Sequence, residues 1–199
     1  MASAPRLLVI ASGNPAKVAE MTAMLDPLPL QVQQQPKGLE IEETGSSYAE
    51  NARLKATTVA ALCHSWTLAD DSGLEVDALG GAPGIFSARY AASDPERIAR
   101  LLSELKGSLY RSASFHSAVA LADPDGIVRL EASGICRGEI LTSPRGQGAG
   151  YDSLFWVREA GCSYAQLPAH LKRQLGSRGK AVRSIAKALR ELLGLPPQP

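Results

Sequence analysis

The chain is predicted to be an α/β protein built on a mixed sheet. Three observations predict this. An apolar run leads through a glycine turn into a helical stretch at the start. Two β-rich runs flank Asp123-Pro124-Asp125-Gly126 in the middle, and a long 3.6-residue period closes the chain. A βα opening, a hairpin and a final helix belong together only in a mixed architecture. At 199 residues, the chain suits one large domain or two closely packed lobes with a real core. It shows no internal repeat and no Pro/Gly linker of useful length, so residues 1–199 read as one domain whose lobes the sequence alone does not separate.

Residues 7–11 (Leu-Leu-Val-Ile-Ala) read as a buried strand that turns at Ser12-Gly13-Asn14-Pro15 into a helix over 16–25. Residues 28–33 give a second short strand. Ser47-x-x-Glu50 has the form of a capping box, and helix formers follow to Cys63. Residues 66–69 form a strand ending at Asp70-Asp71, where Gly73 permits a bend toward the glycine-rich Gly80-Gly81-Ala82-Pro83-Gly84. A short helix is expected over 95–105. Strands over 115–122 and 127–135 pair as an antiparallel hairpin across the Asp-Pro-Asp-Gly turn. Residues 139–150, rich in Gly, Ser and Pro, read as a loop, and 154–157 as a short strand. The last helix, 178–193, places Ala181, Ile185, Ala188, Leu189 and Leu192 on one face. The proline-rich tail, 195–199, cannot continue that helix and is expected to fray.

Composition narrows the function classes. Hydrophobic residues make up 45% and charged residues 21%, as in ordinary globular proteins. A formal net charge of +1 supplies no global field for nucleic acid or an anionic membrane. No apolar stretch matches a signal peptide or a membrane helix, so a cytoplasmic location is expected. Cys63, Cys136 and Cys162 form no C-x-x-C pair and read as reduced thiols. His64, His116 and His170 have no metal-ligand spacing, and His116 reads as a core histidine in an apolar strand.

The chemistry resides in short polar segments. Ser12, Gly13, Asn14, Pro15, Ala16 and Lys17 bridge a strand and a helix, where backbone N–H groups and a lysine can hold phosphate. This is not the G-x-x-x-x-G-K-[ST] loop, because the second glycine and the hydroxyl after the lysine are missing. Glu42-Glu43-Thr44-Gly45 precedes the capped helix, on which Asn51 and Lys55 share a face. Asp70-Asp71-Ser72-Gly73 offers two hard carboxylates of the kind that suit Mg²⁺ shared with substrate phosphates. Later come Ala149, Gly150, Tyr151 and Asp152 on a flexible segment, and Gly176-Ser177-Arg178-Gly179-Lys180 at a basic helix start. Each segment also has a plain structural reading: a turn, a dipole-complementing acid, a solvated lysine or a loop-to-strand junction.

Their order is far more specific than any one of them. Ser12-Gly13-Asn14-x-x-Lys17, Glu42-Glu43-Thr44-Gly45, Glu50-Asn51-Ala52-x-x-Lys55-Ala56 and Ala69-Asp70-Asp71-Ser72-Gly73-Leu74 come first. They are followed by the stretch 79–90, then Gly150-Tyr151-Asp152 and Arg178-Gly179-x-Ala181. Over about residues 7–193 the chain resembles the inosine triphosphate pyrophosphatase family. The resemblance implies an elongated, two-lobed α/β fold with a long central mixed sheet flanked by helices, an active-site cleft between the lobes, and a homodimer. It implies Mg²⁺-dependent hydrolysis of non-standard purine nucleoside triphosphates (ITP, dITP, XTP) to the monophosphate and pyrophosphate. Carried over by position, Ser12 to Lys17, Lys55 and Ser72 would hold the triphosphate. Glu42 or Glu43, with Asp71, would bind Mg²⁺. Asp71 would activate water, with Asp70 as a second acidic group. Ala149 to Asp152, Lys172, Ser177 and Arg178 fall on the later nucleotide-binding positions.

Three positions depart from the family pattern. Ala149 stands where an aromatic usually precedes the glycine, Ser177 where a histidine usually precedes the arginine, and Ser153 where a proline usually follows Tyr-Asp. The first two lie in the base-recognition region, so hydrolysis with weakened or altered base discrimination is expected. Two alternatives remain open at this point: release of orthophosphate with relaxed base specificity, and a silent nucleotide-binding sensor.

Overall fold

The computed structural model describes residues 6–196. The start of the chain and the last three residues of the tail expected to fray lie outside the described residues. In order, the elements are β1 (Arg6–Ile10), α1 (Pro15–Leu25), β2 (Leu30–Gln34), α2 (Tyr48–Cys63), β3 (Thr67–Val76), β4 (Pro83–Gly84), α3 (Asp94–Glu104), β5 (Ser112–Ala122), β6 (Val128–Ile140), β7 (Phe155–Val157), β8 (Cys162–Ser163), α4 (Ala169–Leu175) and α5 (Ser177–Leu193). The strands run β2-β1-β3-β5-β6-β7-β8, with β4 paired to β3. β1 is parallel to β2 and β3, whereas β3–β4, β6–β7 and β7–β8 are antiparallel. The sheet is therefore mixed, as the order of elements predicts.

The chain divides into two compact units. The first holds the described residues up to Asp71, Ala118–Ser133 and 181–196; the second holds Ser72–Ser117 and Gly134–Lys180. β3, β5 and β6 each contribute residues to both.

In the first unit the two faces of the sheet are filled differently. Leu8, Ile10, Leu68, Val119 and Leu121 pack with Met21 and Leu25 of α1 and with Ala181, Val182, Ile185, Leu189 and Leu193 of α5. On the other face, Val9, Ala11, Ala69, Ala118, Ala120 and Ala122 meet Ala52, Ala56, Val59 and Ala60 of α2. The large-residue face and the alanine face follow from the period of two in each strand. Small side chains on both partners let α2 lie close to the sheet. The second unit has its own core, centred on Phe155, Leu154, Leu74, Val76, Leu101 and Leu105. Phe115 joins it in a ring cluster with Phe155, centroids 4.4 Å apart, and with Tyr164 at 5.5 Å.

Several expectations change. β3 does not end at the aspartates, and the bend allowed by Gly73 does not form. Leu74 and Val76 continue the alternation and enter the second core, β4 pairs with the strand at Leu74 and Glu75, and Leu74 N–H donates to Ser87 Oγ at 2.8 Å. Apolar side chains beyond a polar triplet keep a strand going, a signal that the adjacent carboxylates obscured. β6 likewise runs to Ile140, shortening the expected loop. The capping box at α2 is half formed: Ser47 Oγ accepts Glu50 N–H, but the Glu50 carboxylate accepts from Ser46 N–H and Oγ. On α5 the inward face is rotated, with Val182 and Leu193 buried while Leu192 is exposed. His116 is half-buried beside Ser114 and Glu75 rather than a core residue. α4, β4 and β8 carry too few residues for a period to reveal them.

Candidate active site

The alternation that builds the first unit also aims its acids. Positions 68 and 70 share one face of β3, and 69 and 71 the other. Asp70 therefore follows Leu68 toward α1, where Lys17 Nζ meets its Oδ2 at 2.9 Å. Asp71 follows Ala69 toward α2, where Lys55 Nζ meets its Oδ1 at 2.8 Å. Consecutive aspartates thus acquire separate lysine partners without any break in the strand.

Around Lys17, the segment from Ser12 is a capped helix start. Asn14 Oδ1 accepts Ala16 N–H at 2.9 Å and Lys17 N–H at 3.2 Å, and Ser12 Oγ accepts Asn14 N–H at 3.2 Å. Pro15 at the first helical position gives up no hydrogen bond. Two of the N–H groups expected to cradle phosphate are therefore held by the Asn14 side chain. A phosphate here would meet Lys17 and the remaining helix-start dipole, with Gly13 leaving its approach open. A Cβ on Gly13 would find nothing nearer than Gln35 Nε2 at 4.0 Å.

The Asp71 side is more deeply enclosed. Lys55 Nζ also meets Glu43 Oε1 at 2.8 Å, so one ammonium joins two carboxylates. Asn51 is fully buried. Its Nδ2 donates to Asp71 Oδ2 at 3.3 Å, and its Oδ1 accepts Gly45 N–H at 2.8 Å. Gly45 is required here, because a Cβ would lie 2.6 Å from Asn51 Oδ1. Burial raises the Asp71 carboxyl above its ordinary value, outweighing the pull of Lys55, and Glu43 adds to the rise. Burial by itself would lower Lys55, but Asp71 and Glu43 together hold it above its ordinary value. Of the two candidate glutamates, Glu43 takes part in this cluster and Glu42 is exposed.

Among the described residues, no three His, Cys, Asp or Glu side chains gather as a complete metal cage. Mg²⁺ needs no such cage: one or two carboxylates suffice when waters and substrate phosphates complete the octahedron. Glu43 and Asp71 converge on one point of positive charge, so their donor chemistry fits a hard divalent cation.

In the second unit the polar groups are mostly hydroxyls and loop atoms. Ser72 Oγ lies 2.9 Å from Ser117 Oγ, which lies 2.8 Å from Ser177 Oγ. Arg178 Nη2 donates to Ser72 Oγ at 3.3 Å. The loop before β7 is tied down at Gly150, whose N–H donates to Asp94 Oδ2 at 2.6 Å, and at Tyr151, whose hydroxyl donates to Ser87 O at 3.0 Å. Tyr151 is buried in the core, so its ring anchors the loop. Asp152 pairs with Lys172 at 3.1 Å, and the Lys172 ammonium sits 4.9 Å from the Tyr164 ring centroid. Gly176 makes room for that tyrosine, since a Cβ would lie 2.4 Å from its Oη. Ala149 is exposed.

The expected site residues thus fall into two sets: Lys17, Glu43, Lys55, Asp70 and Asp71 in the first unit; Ser72, Gly150, Asp152, Lys172, Ser177 and Arg178 in the second. Sequence reasoning paired Asn51 with Lys55 only as helix neighbours. It missed Ser117, Asp94 and Tyr164, which no local motif marks. Alternation along a strand already expected over 115–122 could have flagged Ser117 as facing inward.

Comparison with known proteins agrees with this geometry. A dITP/XTP pyrophosphatase of Parasynechococcus marenigrum (strain WH8102) is 53% identical over 194 residues, covering 97% of this chain and all of the relative. A HAM1 protein from Coxiella burnetii superposes with a TM-score of 0.84 at 39% identity, covering 94% of this chain and 99% of its own. The Ham1 protein of Staphylococcus aureus gives 0.82 at 35% identity, with the same coverage. The Ham1 family model matches residues 8–188, a span that begins in β1, ends within α5 and includes every charged residue of both sets. With likeness of this depth over nearly the whole length, in sequence and in fold, this chain belongs to the Ham1 family.

Proposed function

We propose that the chain is a nucleoside triphosphate pyrophosphatase acting on non-standard purine nucleotides, ITP, dITP and XTP, and releasing the monophosphate and pyrophosphate. The observation that carries the reading is the buried Lys55 bridge between Glu43 and Asp71, with Lys17 paired to the neighbouring Asp70. The kinship with proteins named dITP/XTP pyrophosphatases supports the substrate class.

Asp71 takes the proton of the attacking water. Its raised proton affinity brings a carboxylate closer to the neutral range in which a general base works well. Asn51 fixes the orientation of that carboxylate. Attack at the α-phosphorus leaves pyrophosphate departing with increasing negative charge, which Lys17 and Lys55 neutralise. Asp70 holds Lys17 in place rather than acting as a second base, since the two aspartates point to opposite faces of β3. Mg²⁺, held by Glu43 and Asp71, would supply further neutralisation of phosphate charge. Ser72, Lys172, Ser177 and Arg178, with the segment from Ala149 to Asp152, engage the nucleotide.

The reading extends to a cytoplasmic homodimer without nucleic-acid or membrane partners, which the near-neutral net charge favours. Among the described residues, no helix is long and apolar enough to cross a membrane. Incubation with dITP and Mg²⁺, with chromatographic separation of products, tests the activity. Equal amounts of dIMP and pyrophosphate are expected; orthophosphate with dIDP, or tight binding without turnover, would overturn it.

A further inference from the structure

We infer that Ser117 is a positioning residue, the centre of a three-hydroxyl chain whose direction sets how Ser72 meets the substrate; this rests on the pyrophosphatase reading above. Ser117 is 2% exposed and Ser177 7% exposed, so neither hydroxyl can rely on bulk water. Ser117 Oγ lies within hydrogen-bond distance of two other hydroxyl oxygens but has one proton. It must donate to one and accept from the other.

Arg178 limits the choice. A guanidinium only donates, so Ser72 Oγ accepts from it. In one polarity Ser72 donates to Ser117 and Ser117 donates to Ser177. In the other, Ser177 donates to Ser117, Ser117 donates to Ser72, and Ser72 Oγ accepts from both Ser117 and Arg178. Its own proton is then directed at a substrate oxygen. A phosphate oxygen only accepts, so a bound nucleotide selects the second polarity. Each hydroxyl then strengthens the next by polarisation. Ser117 also ties β3, through Ser72, to the first residue of α5, beside Arg178, and so fixes the spacing of the two groups that flank it.

The test compares Ser117→Ala and Ser117→Thr with the natural chain, reading KM and kcat for dITP, melting temperature, and dITP binding without divalent metal. Ser117→Ala should raise KM and weaken binding by about tenfold, with kcat within about twofold, because a ground-state contact is lost. Ser117→Thr keeps the hydroxyl on a residue that strands favour, and should restore most of the affinity. Adding Ser177→Ala to Ser117→Ala should cost little more, since the chain is already cut. Unchanged affinity in Ser117→Ala, full additivity with Ser177→Ala, or a loss that Ser117→Thr does not restore would overturn the inference. Should the natural chain make no pyrophosphate, the parent reading fails, while the binding comparison still decides the role of Ser117.

Discussion

The two units hold their polar groups in different ways. In the first, full charges are buried and matched: the Asp70 side chain is 0% exposed, Asp71 8% and Lys55 11%. In the second, the Asp152–Lys172 pair is 22% and 26% exposed, and hydroxyls and backbone groups supply most of the remaining contacts. A charge removed from water must be paired in fixed geometry, whereas a half-exposed pair can move cheaply. The contrast suits a division of labour. Chemistry on the triphosphate, common to all substrates, belongs in the rigid buried cluster. Reading of the nucleoside belongs in the more adaptable one, where this chain departs from the family pattern at Ala149 and Ser177.

The largest expected effect breaks the first unit's chemistry while sparing its fold. Asp71→Asn should lower kcat by about 10²- to 10⁴-fold, the usual weight of a positioned base, with far-UV circular dichroism unchanged. A near-normal kcat would remove Asp71 from its role. Next, Lys55→Met should cost about 3 kcal/mol of stability in chemical denaturation, because Glu43 and Asp71 then face each other without a cation. The matching change in the second unit, Lys172→Ala, should cost no more than about 1 kcal/mol and act mainly on KM. Equal losses in the two variants would erase the contrast.

Base discrimination sharpens the comparison further. With no ring at position 149, the chain should use ITP and GTP with kcat/KM values within about tenfold. Ala149→Phe should then favour the preferred base by about 1–3 kcal/mol through stacking. A preference for ITP above about 100-fold in the natural chain would show that Ala149 is no handicap.

The smallest effect is one of pH, and it differs in sign between the units. Lys55 is held above its ordinary value of 10.5, so its contribution is present at neutral pH and lost as pH rises through its higher folded value. In the second unit, hydrogen bonds from Tyr90 and then Arg100 lower Glu104 below its ordinary 4.5. Its contribution is present above that value and lost as pH falls through the lower folded one. Hydrogen exchange should therefore quicken first around α2 and β3 in alkali, beyond the intrinsic rate increase, and first around α3 in acid.

The first unit was largely legible because its partners lie in short segments with their own signals: Asn14 before a proline-started helix, Lys55 one turn after Asn51, and two aspartates on one strand. What the sequence did not disclose is that adjacent aspartates choose different helices. That follows only once Leu74 and Val76 are seen to prolong β3 past them. The second unit was less legible because its cluster is assembled from β3, β5, the loop before β7, and helices α4 and α5. Ser72, Ser117 and Ser177 are separated by 45 and 60 residues, and no local period records such a meeting. Glu43 and Glu42 could be separated only by contact, since adjacent glutamates in a loop carry no face.

Hydrolysis of dITP in H₂¹⁸O, with mass spectrometry of both products, tests the central claim most directly. Attack at the α-phosphorus by a water bound for Asp71 predicts one ¹⁸O in dIMP and none in pyrophosphate. Label in pyrophosphate, or labelled orthophosphate beside dIDP, would place the attack on another phosphorus and contradict the account.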